Sequence, residues 1–408
     1  MAKSLLNSSF SNKNVLFLQG PVGPFFRRLA KDLQTRDNKV YKINFNGGDY
    51  FFFPQASNYR ESIEKFPEFL LNHIHTHQIN AVVLFGDCRP IHCVALNAIK
   101  NLDLDVFVFE EGYLRPDHIT LEQVGVNGNS LLPKTAEYYS AQTAQKIAPV
   151  SKIGNAFWHA ASYAILYYIF ANLFRPWFSE YKHHRSLHIK EAWYWIKGTW
   201  RKYFFAWRER GIEQQLSQPL KKRFFLIPLQ LSSDAQVTHH SEFDSVTEFI
   251  SSTIKSFAQH APKDTFLAIK HHPYDRGYHD YTKLIDRLAQ KWQVSNRIFY
   301  IHDQRLPLLL QNARGVVTIN STTGLSALYH HAPTKVCGDA VYDIPGLCYQ
   351  GDLNDFWNEA AQFEINPDLY SKYIAYLEQR CQINGSFYRR IKNSGNHAGL
   401  NLSRENFL

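Results

Sequence analysis

Apolar residues fall in short runs, each closed by a turn residue and followed by a stretch with helical spacing. Asn14-Val15-Leu16-Phe17-Leu18-Gln19 is such a run. Gly20-Pro21 ends it, and Phe25, Phe26, Leu29 and Leu33 follow at helical intervals. The pattern then predicts a strand at 39–45, a helix over 60–77, a strand over 81–85 ending in Gly86-Asp87, a helix over 90–100 and a strand over 105–109. Strands alternating with helices imply a parallel sheet whose carboxyl ends carry the ligand loops. Gly86-Asp87 and Glu110-Glu111-Gly112 stand at such ends.

The alternation resumes at 224–229, with a helix near 244–260 and a strand over 265–270 that runs into Lys270-His271-His272-Pro273. Further strands are predicted at 297–301, 315–319 and 334–337, and residues 355–390 are helical by pattern. The expected architecture is α/β, with two Rossmann-like domains facing a cleft, the GT-B arrangement. The N-terminal domain covers 1–150, a helical insertion 151–215, the second domain 216–355, and closing helices 356–408 pack across the domains.

The insertion stands apart in composition. Residues 156–178 are apolar, but the strongly apolar part is shorter than the ~20 residues that span a bilayer. Residues 190–210 interleave Trp193, Trp195, Trp200 and Trp207 with Lys197, Arg201, Lys202 and Arg208, as an interfacial helix on anionic lipid would. The alternative is a pair of helices packed on one another with a solvated basic face.

Charge adds to this picture: 45 Lys and Arg against 36 Asp and Glu give +9, so an anionic partner is expected. Thirty Phe, 23 Tyr and 8 Trp suit sugars and lipid interfaces. Five cysteines without a CxxC pair argue against a disulfide framework and a zinc site, and point to a reducing compartment. Cys88 and Cys93, flanking His92, read as small buried side chains. His183, His184 and His188 are a weak metal candidate, so none is expected. Residues 1–14 lack the apolar core of a signal peptide, so a cytoplasmic chain is expected. No P-loop, dinucleotide fingerprint or nucleic-acid module is present, and nucleic acid is not an expected partner.

Three strand ends can carry chemistry. A carboxylate of Glu110-Glu111 can take a proton from an acceptor hydroxyl. A histidine in Lys270-His271-His272-Pro273 can donate to a departing phosphate. Asn320-Ser321-Thr322-Thr323-Gly324 sets hydroxyls and backbone N–H groups before a helix, as an anion site requires. Each alone reads equally as a turn, a loop or a helix cap; their joint placement after strands of two similar halves raises their weight.

Several blocks resemble the capsule polysaccharide proteins of the KpsS/LipB type, β-Kdo glycosyltransferases that start a lipid-linked Kdo linker. They are Gly20-Pro21-Val22-Gly23-Pro24-Phe25-Phe26, Asn46-Gly47-Gly48-Asp49, Gly86-Asp87-Cys88-Arg89-Pro90, Phe109 to Pro116, Lys270-His271-His272-Pro273 and Asn320 to Gly324. The resemblance implies transfer of Kdo from CMP-Kdo to a phosphatidylglycerol-type lipid, with retention and no cofactor, by a protein peripheral on the inner face of the inner membrane. The second domain would then hold the CMP-sugar and the first the acceptor. On the same resemblance, Glu111 is the acceptor base, with Glu110 beside it; His272, Lys270, Ser321, Thr322, Thr323 and Asn320 hold the CMP phosphate. Asp234, after strand-end Gln230, is the nucleophile, although Asp234 reads otherwise as a turn or helix N-cap. Partners implied are a Kdo-extending transferase and a capsule export complex. A non-catalytic, membrane-docking part of that complex is the rival reading.

Overall fold

The computed structural model describes residues 10–143, 149–181 and 190–401. The chain forms two compact units: residues 1–131, 145–188 and 374–408 make the first, and 132–144 with 189–373 the second. The segment 151–215, expected as one helical insertion, is therefore divided. Its apolar helix Phe157–Leu173 belongs to the first unit and its aromatic-basic helix Lys190–Arg208 to the second. The C-terminal residues return to the first unit, and the change of unit falls inside the helix Pro367–Arg380.

The first unit is built on strands β1 (Asn14–Phe17), β2 (Lys39–Asn44), β3 (Ser57–Asn58), β4 (Ala81–Phe85), β5 (Asp105–Glu111), β6 (His118–Gln123) and β12 (Gln382–Asn384). Their order is β12-β6-β5-β4-β1-β2-β3. β1 to β5 are parallel in Rossmann order, and β6 pairs antiparallel with β5 and β12. The continuous apolar runs of β1 and β4 reflect burial on both faces. One face is covered by helix Phe25–Gln34 with Phe387, Ala398 and Leu400, the other by helices Phe66–His77 and Pro90–Ile99. β3, β6 and β12 lie outside the predicted strands.

The second unit repeats the order with β7 (Phe224–Pro228), β8 (Phe266–Lys270), β9 (Ile298–Ile301), β10 (Gly315–Thr318) and β11 (Thr334–Val336), arranged β11-β10-β7-β8-β9 and parallel throughout. Helix Val246–His260 begins with Ser245 accepting from the Glu248 N–H, while Glu248 accepts from the Asp244 N–H, a capping arrangement that fixes its start. Phe249, Ile250 and Phe257 of that helix pack with Phe225, Phe356 and Trp357; each such buried side chain contributes roughly 1.5–3 kcal/mol. In both units strand order reverses beside the first strand, between β1 and β4 and between β7 and β10. Such switch points open a crevice at the strands' carboxyl ends. Among the described residues, no helix is long and apolar enough to cross a membrane.

Candidate active site

In the second unit the switch point holds Gln230, just past β7, and Asn320, just past β10. The Gln230 amide N–H donates to Asn320 Oδ1 (2.9 Å) and to Asp234 Oδ2 (3.1 Å), while its Oε1 accepts from the Asn320 backbone N–H (3.2 Å). The Asn320 side-chain amide donates to the carbonyls of Gln236 and His240. Asp234 caps the short helix Ala235–His239, its Oδ1 accepting from the Gln236 N–H at 3.0 Å. Two oxygens of one half-buried carboxylate are thus held by fixed donors, in one orientation.

At the end of β8 the three basic residues differ. Lys270 is 7% exposed and its ammonium donates inward to the His302 carbonyl (2.8 Å); burial lowers it to about 8. His271 is buried, shares a hydrogen bond with the Tyr300 hydroxyl (2.6 Å) and is pushed down to about 3 by burial and by His302, so it is neutral. His272 is half-buried, and its Nδ1 accepts from the Tyr274 N–H (3.3 Å), which leaves Nε2 as the nitrogen that can donate. Asp275, 2% exposed, accepts from Ser232 and Tyr281 and so ties the loop bearing Asp234 to the loop bearing His272. Ser321 Oγ accepts from the Thr323 N–H and donates to Thr323 Oγ1, and the Tyr342 hydroxyl donates to the Ser321 carbonyl. Ser321, Thr322 and Thr323 are half-buried at the start of helix Thr323–Tyr329.

In the first unit the Glu110-Glu111 pair is not a flexible turn. β5 continues through both, paired Glu110 to Thr120 and Glu111 to Ile119, so the carboxylates lie on opposite faces of the sheet instead of projecting together. Glu110 accepts from the Glu111 N–H (2.9 Å), and burial, reinforced by Glu111, pushes it up to about 7. Gly86, at φ +71°, ends β4 beside it, and a Cβ there would lie 3.3 Å from Glu110 Oε2. Glu111 accepts from the Tyr388 hydroxyl at 3.2 Å.

The switch point of the first unit holds a buried polar knot. Arg89 donates to Gln19 Oε1 (3.2 Å) and to the Gly20 carbonyl (3.0 Å), and the Tyr181 hydroxyl donates to the same Gln19 oxygen. Asp49 accepts from Gln19 and from the Tyr167 hydroxyl, which itself accepts from Asn46. None of Gln19, Asn46, Asp49, Arg89 or Tyr167 is marked as functional by residue type. The small-residue blocks at 20–23 and 46–49, both at strand ends, are the signal for them. His92 is buried beneath, bonded to the Gly86 carbonyl; Cys88 is buried, but Cys93 is exposed because it falls on the outer face of helix Pro90–Ile99.

Helix Lys190–Arg208 has two faces. Inward, Tyr194 stacks on Tyr278, Arg201 donates to the carbonyls of Arg276 and His279 and pairs with Asp280 (3.0 Å), and Phe205 stacks on His302 at 3.5 Å. Glu209, just past the helix, bonds His302 and Gln304. Outward, Trp193, Ile196, Trp200, Tyr203 and Trp207 form a line, each at least 61% exposed. Trp195 is 40% exposed, Lys202 and Arg208 are exposed, and Lys197 is half-buried. Arg201 is thus committed to the unit's own loop, not to the outer face. His183, His184 and His188 lie outside the described residues.

Comparison with known proteins bears on this arrangement. A family model described as capsule polysaccharide biosynthesis protein matches residues 80–388. Over 95% of this chain and all of the relative, 37% of residues are identical to the capsule polysaccharide export protein KpsS of Escherichia coli. Identity is 39% to the capsule polysaccharide modification protein LipB of Neisseria meningitidis serogroup A, over 96% of this chain and 95% of that protein. Among solved structures, Thermosulfurimonas dismutans KpsC, described as a beta Kdo 2,7 transferase, aligns over 94% of both chains at 14% identity with a TM-score of 0.44. The family match spans β4 to β12 and includes Glu110, Glu111, Gln230, Asp234, His272 and Asn320. The chain belongs to the capsule polysaccharide biosynthesis protein family.

Proposed function

We propose that the chain is a retaining β-Kdo transferase that moves Kdo from CMP-Kdo to a phosphatidylglycerol-type lipid, beginning the Kdo linker of a capsule. The observation that carries this reading is the Gln230-Asp234-Asn320 cluster at the second switch point. It presents one carboxylate, oriented by an amide and a backbone N–H, where an α/β sheet binds ligands.

Asp234 attacks the anomeric carbon as the C–O bond to the CMP phosphate breaks, giving a glycosyl-enzyme ester with inverted configuration. His272 protonates or hydrogen-bonds the departing phosphate, with the Ser321, Thr322 and Thr323 hydroxyls on the same phosphate. The acceptor hydroxyl then loses its proton to a carboxylate and displaces Asp234, restoring the original configuration. Glu111 holds that base role on the resemblance. Glu110, held up to about 7, has the acidity suited to proton transfer near neutrality, and we assign it the proton in preference. Lys270 acts from beneath, through the His302 loop, in place of direct contact with CMP.

The outer Trp193-Trp200-Trp207 line with Lys202 and Arg208 suits peripheral attachment to the anionic inner face of the inner membrane, where a Kdo-extending transferase and the export complex would meet the product. Incubating the protein with CMP-Kdo and a lysophosphatidylglycerol analogue tests the reading: the product mass should rise by one Kdo, and an unchanged acceptor with intact CMP-Kdo refutes it.

A further inference from the structure

A second feature of the first unit lies away from its strand ends. Helix Phe25–Gln34, helix Phe157–Leu173 and the 388–397 loop enclose an open cavity of about 790 Å³. Its lining is cationic: Arg28, Arg389, Arg390 and Lys392, with His159 and His397. Asp32 is the single carboxylate lining it, and both of its oxygens are taken by the backbone N–H groups of His397 and Ala398, at 2.7 Å each. Among the described residues, Arg28, Arg390 and Lys392 have no ion-pair partner. Arg28 donates one N–H to the Phe387 carbonyl while its Nε is shut off from solvent with no acceptor. Four crowded cations against one carboxylate, whose oxygens are already held by backbone N–H groups, are stabilised by an added anion.

The same helix that contributes His159 and Tyr163 to the cavity carries an unpartnered apolar face. Trp158, Ile165, Ile169 and Leu173 recur along it, 47–76% exposed, and Trp177 follows at 54%. That face is not loose packing. On the opposite side Phe51 stacks on Phe170 at 3.8 Å, and a Cβ on Gly47 or Gly48 would run into the Phe170 carbonyl or the Tyr167 ring at 2.2 and 2.5 Å. At 17 residues the helix is about 25 Å long, too short to span a bilayer but suited to lying in its surface.

We propose that this cavity binds the phosphodiester headgroup of an anionic phospholipid in a bilayer surface, with the Trp158-Ile165-Ile169-Leu173 face embedded beside it. Charge complementarity selects the occupant, because an apolar face bordered by unpaired cations matches an anionic bilayer and not a neutral protein surface. The inference goes beyond the transfer reaction, since it requires no sugar donor.

Flotation of the full chain with phosphatidylcholine vesicles, with and without phosphatidylglycerol and in the absence of CMP-Kdo, tests it. Arg390→Gln with Lys392→Gln should weaken partition onto the anionic vesicles on the order of 10- to 30-fold and leave neutral-vesicle binding unchanged. Trp158→Ser with Ile169→Ser should weaken both. Hydrogen exchange in 388–397 should slow on anionic vesicles only. Unaltered partition of the Arg390/Lys392 variant overturns the proposal. Equal protection of that loop by free glycerol phosphate does so too, since it would assign the cavity to a soluble phosphoester.

Discussion

Gln230 and Asn320 are joined twice across adjacent strands, side chain to side chain at 2.9 Å and side chain to backbone at 3.2 Å. These two hydrogen bonds bridge β7 and β10 at the switch point and leave the second Gln230 amide proton for Asp234. Asn320→Ala would remove the Gln230 amide's acceptor across the strands and one of the two donors to each of the Gln236 and His240 carbonyls. We expect it to cost about 1–3 kcal/mol in urea unfolding and to lower transfer further than the stability loss accounts for.

Asp234→Asn probes the nucleophile. Asparagine caps a helix as well as aspartate does, so the Ala235–His239 turn should persist, but its one oxygen cannot also accept from Gln230, and stability should fall by about 1 kcal/mol. Transfer should vanish while CMP binding stays within a few-fold. Near-normal turnover would leave Asp234 a cap alone.

For His272→Ala the expected loss is roughly 10²–10⁴ in rate, the range for a proton donor or leaving-group stabiliser. Kinetics identical to the parent would reduce His272 to the turn-former that its bond from Tyr274 already makes it.

Glu110 and Glu122 are both raised from an ordinary 4.5 to about 7, chiefly by burial. A carboxyl with a raised folded value holds its proton more tightly when folded. Their contribution to stability should therefore fall as pH climbs from about 4.5 to about 7 and level off above, opposite in sign to that of His271, which stays neutral in the folded chain. Glu110→Gln removes one such group, so its melting temperature should gain on the parent's as pH climbs through that interval. It should also allow a Kdo adduct on Asp234 to accumulate in intact-mass spectra, whereas Glu111→Gln should not if Glu110 is the base.

The basic residues of helix Lys190–Arg208 should separate into two classes. Lys197→Gln, Lys202→Gln and Arg208→Gln together should weaken, but not abolish, binding to anionic vesicles in moderate salt without altering melting. Arg201→Gln should instead lower the melting temperature, because its guanidinium fastens the 276–280 loop. Equal behaviour of all four would contradict the division.

The parallel strands were legible because burial on both faces makes each a continuous apolar run, and the turn residues after β1 and β4 mark their ends. β6 and β12 were hidden for a different reason: β12 has three residues, and its partner stands more than 250 positions away at Thr120. The candidate site was legible as residue types at strand ends, since the loops of a parallel sheet collect there. What Lys270 does with its ammonium was not, because direction in a buried loop depends on His302, a contact no local pattern encodes. The same holds for Arg201. A stripe of aromatics and cations looks uniform in sequence, and only tertiary packing decides which cation turns inward.

The return of residues 374–401 to the first unit bears on how the chain is made. β12 supplies that sheet's outer strand, and Phe387, Ala398 and Leu400 fill the core beneath helix Phe25–Gln34. A ribosome delivers those residues only after the whole of the second unit. The second unit, sequence-contiguous apart from 132–144, can close while the first still waits with an open edge on β6 and an incomplete core. The topology thus lets the later-made unit be complete before the earlier-made one, whose β6 edge and core depend on residues 374–401.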